Sequence, residues 1–201
     1  VGFGCWPGPD VHLVDLGCTP TPTVRRPLHH RPGSLRRVDV LGGQRSVRTV
    51  TPPRTPEEVE SLRAQIDAWL ADQLESNPAV AAVDRDVDGP RSWFVRMLGE
   101  EKDVFTVRFH LDQRTLAYET YVMPAPEENH ARFYEHLLRR NARLYGAAFT
   151  VGEEDGVFLQ GKIDARWVDE VEFDRILGSM YAWVEQYFRP ALRIGFASKF
   201  A

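Results

Sequence analysis

The sequence predicts an α+β domain in the order α-β-β-β-α-β-β-α, a mainly antiparallel five-stranded sheet packed with helices. Three stretches carry that expectation. Residues 55–76 place apolar side chains on one stripe at the helical period. Residues 104–123, VFTVRFHLDQRTLAYETYVM, alternate apolar and polar in two runs joined across Asp112-Gln113-Arg114. Residues 168–188 form a helix too apolar to lie on a surface alone.

The first helix starts at Thr55-Pro56-Glu57-Glu58, where Thr caps, Pro takes the first helical position and Glu58 completes a capping box. Val59, Leu62, Ile66, Trp69, Leu70 and Leu74 make its apolar stripe, and Asn77-Pro78 stops it. After a loop over 84–90, RSWFVRML (91–98) alternates as a strand and Gly99-Glu100-Glu101-Lys102-Asp103 turns the chain into the hairpin. Side chains alternate along a strand, so Phe105, Val107, Phe109 and Leu111 share the core face, with Leu116, Tyr118 and Val122 of the next strand. The outer face then holds Arg96, Arg108, His110, Ala117, Glu119 and Tyr121, a mixture of charge and aromatic surface.

The second helix is expected from Glu127-Glu128 to about Tyr145, its acids in the first turn and Arg139, Arg140 and Arg143 near its end, as the helix dipole favours. A hairpin over 147–151 and 157–163 turns at Gly152-Glu153-Glu154-Asp155-Gly156, and the last helix carries Val171, Ile176, Leu177, Met180, Tyr181, Trp183, Val184, Tyr187 and Phe188.

At 201 residues, 43% hydrophobic and 27% charged, the chain has room for one ordinary domain. That domain is placed at 55–201. Residues 1–54 carry eight Arg, eight Pro and three Asp without Ala, Glu, Lys or Ile, a composition expected to be disordered. Three origins compete for this tail: a frame opened upstream of a true start near Val38, Val40, Val47 or Val50, a basic nucleic-acid tether, and an organelle transit segment. Apolar runs are too short to cross a bilayer and Val1-Gly2-Phe3-Gly4 lacks a secretory start, so a cytoplasmic protein without a membrane role is expected.

Most enzyme chemistries lack their residues. Cys5 and Cys18, with His12, His29 and His30, miss the short paired spacings of a zinc site, and 55–201 holds no cysteine. No Gly-x-Ser-x-Gly occurs, and Ser92, Ser179 and Ser198 have no evident partner base. Three acids between Gly152 and Gly156 repel phosphate. Glu127, Glu128, Asn129 and His130 are read as helix-capping residues, and His130 and His136, six apart, cannot converge on a metal. With 17 basic against 26 acidic residues beyond position 54, nucleic acid is not an expected partner. Neither a metal nor a cofactor is expected.

The run YETYVMPAPEENHARFYEHLLRRNARLYGAAFTVGEEDGVFLQGKI (118–163) strongly resembles the YbjN-type domain, especially its actinobacterial branch. The likeness extends through WFVRML upstream and GSMYAWVEQYFRPALRIGF downstream, over essentially 55–201 and none of the tail. The resemblance implies a fold similar to type III secretion chaperones, which hold partner segments along a sheet-and-helix surface and pair through their second helix. It also implies a sensory-transduction or stress-linked regulator, with no catalytic residues to transfer. The expected function is therefore a chaperone-like or regulatory protein-binding module, a homodimer, with a polypeptide on Arg96, Arg108, His110, Glu119 and Tyr121. An exposed edge, 91–98 or 157–163, offers strand addition instead. The competing function is a small-molecule regulatory domain or weak enzyme using His110, Arg108 and Glu119.

Overall fold

The computed structural model describes residues 52–86, 89–152 and 154–200. The disordered-tail reading and the Cys5/Cys18 and His12/His29/His30 readings therefore lie outside the described residues, apart from 52–54. Helix α1 (Pro56–Ser76) begins as its sequence dictates: Thr55 Oγ1 accepts from Glu58 N at 3.3 Å, and Glu58 Oε2 accepts from Thr55 N at 2.7 Å. Val59, Leu62, Ile66 and Leu70 are buried.

Six strands follow, one more than the five expected: β1 (Val80–Arg85), β2 (Ser92–Leu98), β3 (Val104–Leu111), β4 (Thr115–Met123), β5 (Ala147–Val151) and β6 (Val157–Asp164). The unforeseen strand is β1, VAAVDR. Its alanines and acid have weak strand preference and only Val80 is fully buried, so pairing with β2, rather than local pattern, makes it a strand. All neighbours run antiparallel in the order β1-β2-β3-β4-β6-β5. The edges are thus β1 and β5. Neither 91–98 nor 157–163 is an edge, because β1 covers the first and β5 the second.

Helix α2 runs His130–Asn141, and α3 runs Glu170–Gly195 after a single 3₁₀ turn at Ala165–Trp167. Both depart from expectation. Asn129 sits in the left-handed region (φ 54°), so α2 starts after Glu127 and Glu128. The two acids close the end of α3 instead: their backbone N–H groups donate to Gly195 O, Glu128 Oε1 accepts from Ser198 N at 2.6 Å, and Glu127 pairs with Lys199 at 2.5 Å. Helix α2 ends early because the Asn141 side chain bonds both Phe149 N and Phe149 O, tying the chain to β5. Helix α3 continues through Pro190 because its last turns are buried against α2. A Cβ on Gly195 would lie 2.8 Å from Pro126 and 2.9 Å from Phe133.

All three helices lie on one side of the sheet. Helix α1 packs on β1, α2 on β5 and α3, and α3 on β4. The inward rung Val95-Val107-Thr120-Leu159-Phe149 crosses five strands in register. Phe109 meets Phe173 of α3 at 4.7 Å between ring centroids, and Phe149 meets Tyr187 at 5.9 Å. At the far end, the Glu185 carboxylate of α3 accepts from three successive backbone N–H groups of the β2–β3 turn: Glu100 at 2.6 Å, Glu101 at 2.8 Å and Lys102 at 3.2 Å. Only glycine fits at position 99, since a Cβ there would stand 2.2 Å from Glu185 Oε1 and 2.6 Å from Lys102 O.

One polar side chain interrupts the inner rung. Thr120 is 1% exposed, and its Oγ1 has no hydrogen-bond partner among the described residues. Thr120→Val keeps the shape and removes the unpaired hydroxyl, so it should raise stability by about 1 kcal/mol. A shift of the urea midpoint upward at constant m checks this; a downward shift would mean the hydroxyl is bonded.

Candidate functional site

The side chains that alternate away from the helices form a second, uncovered face. Its rung Asp84-Phe94-Arg108-Glu119-Gln160-Ala148 spans all six strands, and the adjacent rung aligns Ser92, His110, Ala117 and Lys162. The small side chain of Ala117 leaves the floor low between longer neighbours. The result is a concavity of about 460 Å³ walled by Arg108, His110, Glu119, Gln160 and Lys162. Gly161 is required on the helix side of β6. A Cβ there would lie 2.2 Å from Gly146 O and 2.6 Å from the Tyr118 ring, whose hydroxyl donates to that same carbonyl at 2.8 Å. Burial pushes the Tyr118 phenol up from its ordinary value, which keeps it a neutral donor.

Within the concavity, Arg108 Nη1 donates to Glu119 Oε1 at 3.1 Å across the β3–β4 pair, and its guanidinium lies 5.9 Å over the Phe94 ring. Ser92, left without a partner by sequence reading, stands 2.8 Å from His110 Nδ1 through its Oγ. That bond occupies Nδ1 and leaves Nε2 as the polar atom of the ring with which an incoming group can bond. It does not make a nucleophile, because Ser92 is 1% exposed and a substrate carbonyl cannot reach it.

The structure therefore gathers three of the five expected residues, Arg108, His110 and Glu119, into one hollow. Arg96 and Tyr121 share the face but flank it. Arg96 pairs loosely with Asp84 at 3.7 Å beside Phe94 and Thr106. Tyr121 packs edge-on against Phe158 at 5.4 Å. Its ring also lies 5.3 Å from Lys102 Nζ, which donates to Tyr121 O and Val122 O where β4 extends past its pairing with β3. Burial lowers the Lys102 ammonium to about 8. Sequence reading missed Gln160, Lys162, Phe94 and Phe158. Phe94 follows from the alternation of 91–98, whereas the other three join only once β6 is known to lie against β4.

Elsewhere the remaining candidates have structural occupations. Arg139 pairs with Glu135, and Arg140 lies 5.8 Å over the Tyr187 ring. His130 is exposed and His136 half-buried. Among the described residues, no group of three or more His, Cys, Asp or Glu is placed to hold a metal ion, and no helix is long and apolar enough to cross a membrane.

These features define a one-sided α+β domain with a charged, partly aromatic open sheet face. The chain belongs to the YbjN family, described as "Putative bacterial sensory transduction regulator", whose model matches residues 63–193. Uncharacterized proteins of Mycobacterium bovis and Mycobacterium tuberculosis are each 34% identical over 109 residues, 54% of this chain and 60% of theirs. One of Mycobacterium leprae is 32% identical over 111 residues, 55% and 60% of the two chains. The matches thus span less than two thirds of these relatives. Among solved structures, the crystal structure of the ExsC–ExsE complex aligns with a TM-score of 0.46 at 19% identity, over 64% of this chain and 94% of that one.

The Arg108–Glu119 pair is solvent-exposed at both ends, with 43% and 38% of the side chains accessible. A double-mutant cycle of Arg108→Ala and Glu119→Ala should give a coupling in stability below about 1 kcal/mol. Urea unfolding of the four proteins measures it. A coupling of several kcal/mol would make the pair a structural clamp rather than surface free for a partner.

Proposed function

We propose that this domain is a non-enzymatic, chaperone-like or regulatory module that holds a polypeptide partner on its open sheet face, acting in the cytosol as a homodimer. The observation that carries the reading is the face itself. Six strands are covered by helices on one side only, and the other side places Arg96, Arg108, His110, Glu119 and Tyr121 among Phe94 and Phe158. Arginine and tyrosine are the residue types that concentrate binding energy, and the face extends well beyond its central hollow, as an extended chain requires. The edges β1 and β5 add a route by backbone pairing, with β5 short and β1 irregular at Val80/Ala82. Self-association draws support from Leu138, which α2 leaves 66% exposed, and a two-fold pair is the commonest arrangement.

A second reading, a small-molecule regulatory site, is favoured by the volume of about 460 Å³, which falls within the roughly 300–1,000 Å³ typical of ligand pockets. The two readings separate experimentally. Residues 52–201 used as bait in lysate of the source organism should retain one stoichiometric polypeptide, and both Arg108→Glu and Tyr121→Ala should weaken capture about 10-fold or more while circular dichroism is unchanged. Equal capture by both variants would remove the face as the site. A bait that stays alone but gains thermal stability with a small anion or metabolite extract would transfer the face to the second reading.

A further inference from the structure

A second surface, on the helix side of the sheet, remains without a role. Three of the large apolar side chains that the domain exposes, Tyr145 (73% accessible), Trp167 (69%) and Val171 (78%), gather with Ile163 around an open groove of about 480 Å³. Val171 also borders an adjoining hollow of about 260 Å³ beside Trp69 and Phe173. Single exposed apolar residues are ordinary, whereas a Trp, a Tyr and a Val facing one groove form the kind of patch that marks an interface.

The charged side chains that line the groove and the hollow are all acidic. Asp169 and Glu172 line the groove, and Asp72, Glu170 and Asp174 line the hollow. Arg175 faces them, and it is already held by Glu172 at 2.7 Å. Arg166, next to Trp167, is paired with Asp164. Asp169 caps α3 by accepting from Glu172 N at 2.8 Å, and Asp174 accepts from Gln73 at 3.0 Å. The Asp72 and Glu170 carboxylates have no ion-pair or hydrogen-bond partner among the described residues.

Charge decides between occupants. A second copy docking by two-fold symmetry would bring the same five carboxylates against themselves, and an anionic lipid surface would be repelled. A cationic partner is attracted. The domain also contains a worked example of the cation that suits this chemistry: the Arg175 guanidinium lies 4.9 Å over the Tyr145 ring while bonding both Glu172 oxygens at 2.7 and 2.8 Å. A planar guanidinium can stack on an indole or phenol and still reach a carboxylate, which a lysine ammonium does less well.

We propose that the groove formed by Tyr145, Trp167 and Val171, rimmed by Asp72, Asp169 and Glu170, docks an arginine-bearing extended segment of a partner polypeptide, with a guanidinium stacked on Trp167. This surface is independent of the open sheet face. Ile163 alternates to the helix side of β6, whereas Gln160 and Lys162 alternate to the other.

Fluorescence anisotropy with the full chain and a labelled peptide of alternating Arg and Pro, about twelve residues long, tests the proposal directly. The wild type should bind, Trp167→Ala should weaken binding about 10-fold or more, and Glu170→Lys should weaken it several-fold with a shallower salt dependence. Arg108→Glu should leave it unchanged, so failure of the sheet-face reading and failure of this one are distinguishable. Three outcomes overturn the proposal: no binding at millimolar peptide, equal affinity of the Trp167→Ala protein, or equal affinity for a Lys/Pro peptide of the same charge. Sedimentation of the same proteins completes the test, because a dimer that dissociates with Trp167→Ala would assign the groove to a second copy instead.

Discussion

The fold depends on one arrangement: α3 lies across the inner face of the sheet and is fixed there by polar contacts along its C-terminal half. Its buried run, Phe173, Ile176, Leu177, Met180, Val184 and Tyr187, meets the inward side chains of β3, β4 and β5, so the apolar surface of a single helix closes the core of several strands. Apolar burial alone would allow the helix to slide. Glu185 prevents that by gripping the β2–β3 turn through three backbone N–H groups, and at the helix C-terminus the N–H groups of Glu127 and Glu128 close on Gly195 O. A carboxylate accepting several N–H bonds is directional in a way that van der Waals packing is not. These contacts set where the helix lies, and the packing supplies most of the free energy.

One-sided cover has a consequence for function. Strand side chains alternate, so every inward residue that packs on a helix implies an outward neighbour that does not. On β3 the pattern is strict: Phe105, Val107, Phe109 and Leu111 are buried, while Val104, Thr106, Arg108 and His110 are exposed. The open face is therefore a product of the same alternation that builds the core. Its chemistry can vary without loss of stability, which is the condition under which a surface acquires a partner.

Much of this was legible in the sequence because the signals are local. The capping box at Thr55, the β3–β4 hairpin with its two faces, the 147–164 hairpin and the membership of Arg108, His110 and Glu119 in one outward set all follow from spacing alone. What failed was non-local. VAAVDR has no strand pattern of its own and becomes β1 through pairing with β2, and the order β4-β6-β5 that brings Gln160 and Lys162 beside Glu119 is a property of the assembled sheet. Glu127 and Glu128 look like first-turn acids until the left-handed Asn129 delays the helix, and the last helix, expected to end at 188, runs on through Pro190 to Gly195, where its final turns pack on α2. In each case tertiary contact overrode a sound local preference.

The open sheet face, independently of the groove at Trp167, is proposed to hold the partner polypeptide across β3, β4 and β6. A photo-crosslinking amino acid placed in turn at Thr106 and Gln160 on that face, and at Gln186 on α3, tests it in cells of the source organism. Adducts to one polypeptide from the two face positions, with none from Gln186, are the predicted result. Adducts from Gln186 alone would contradict the account.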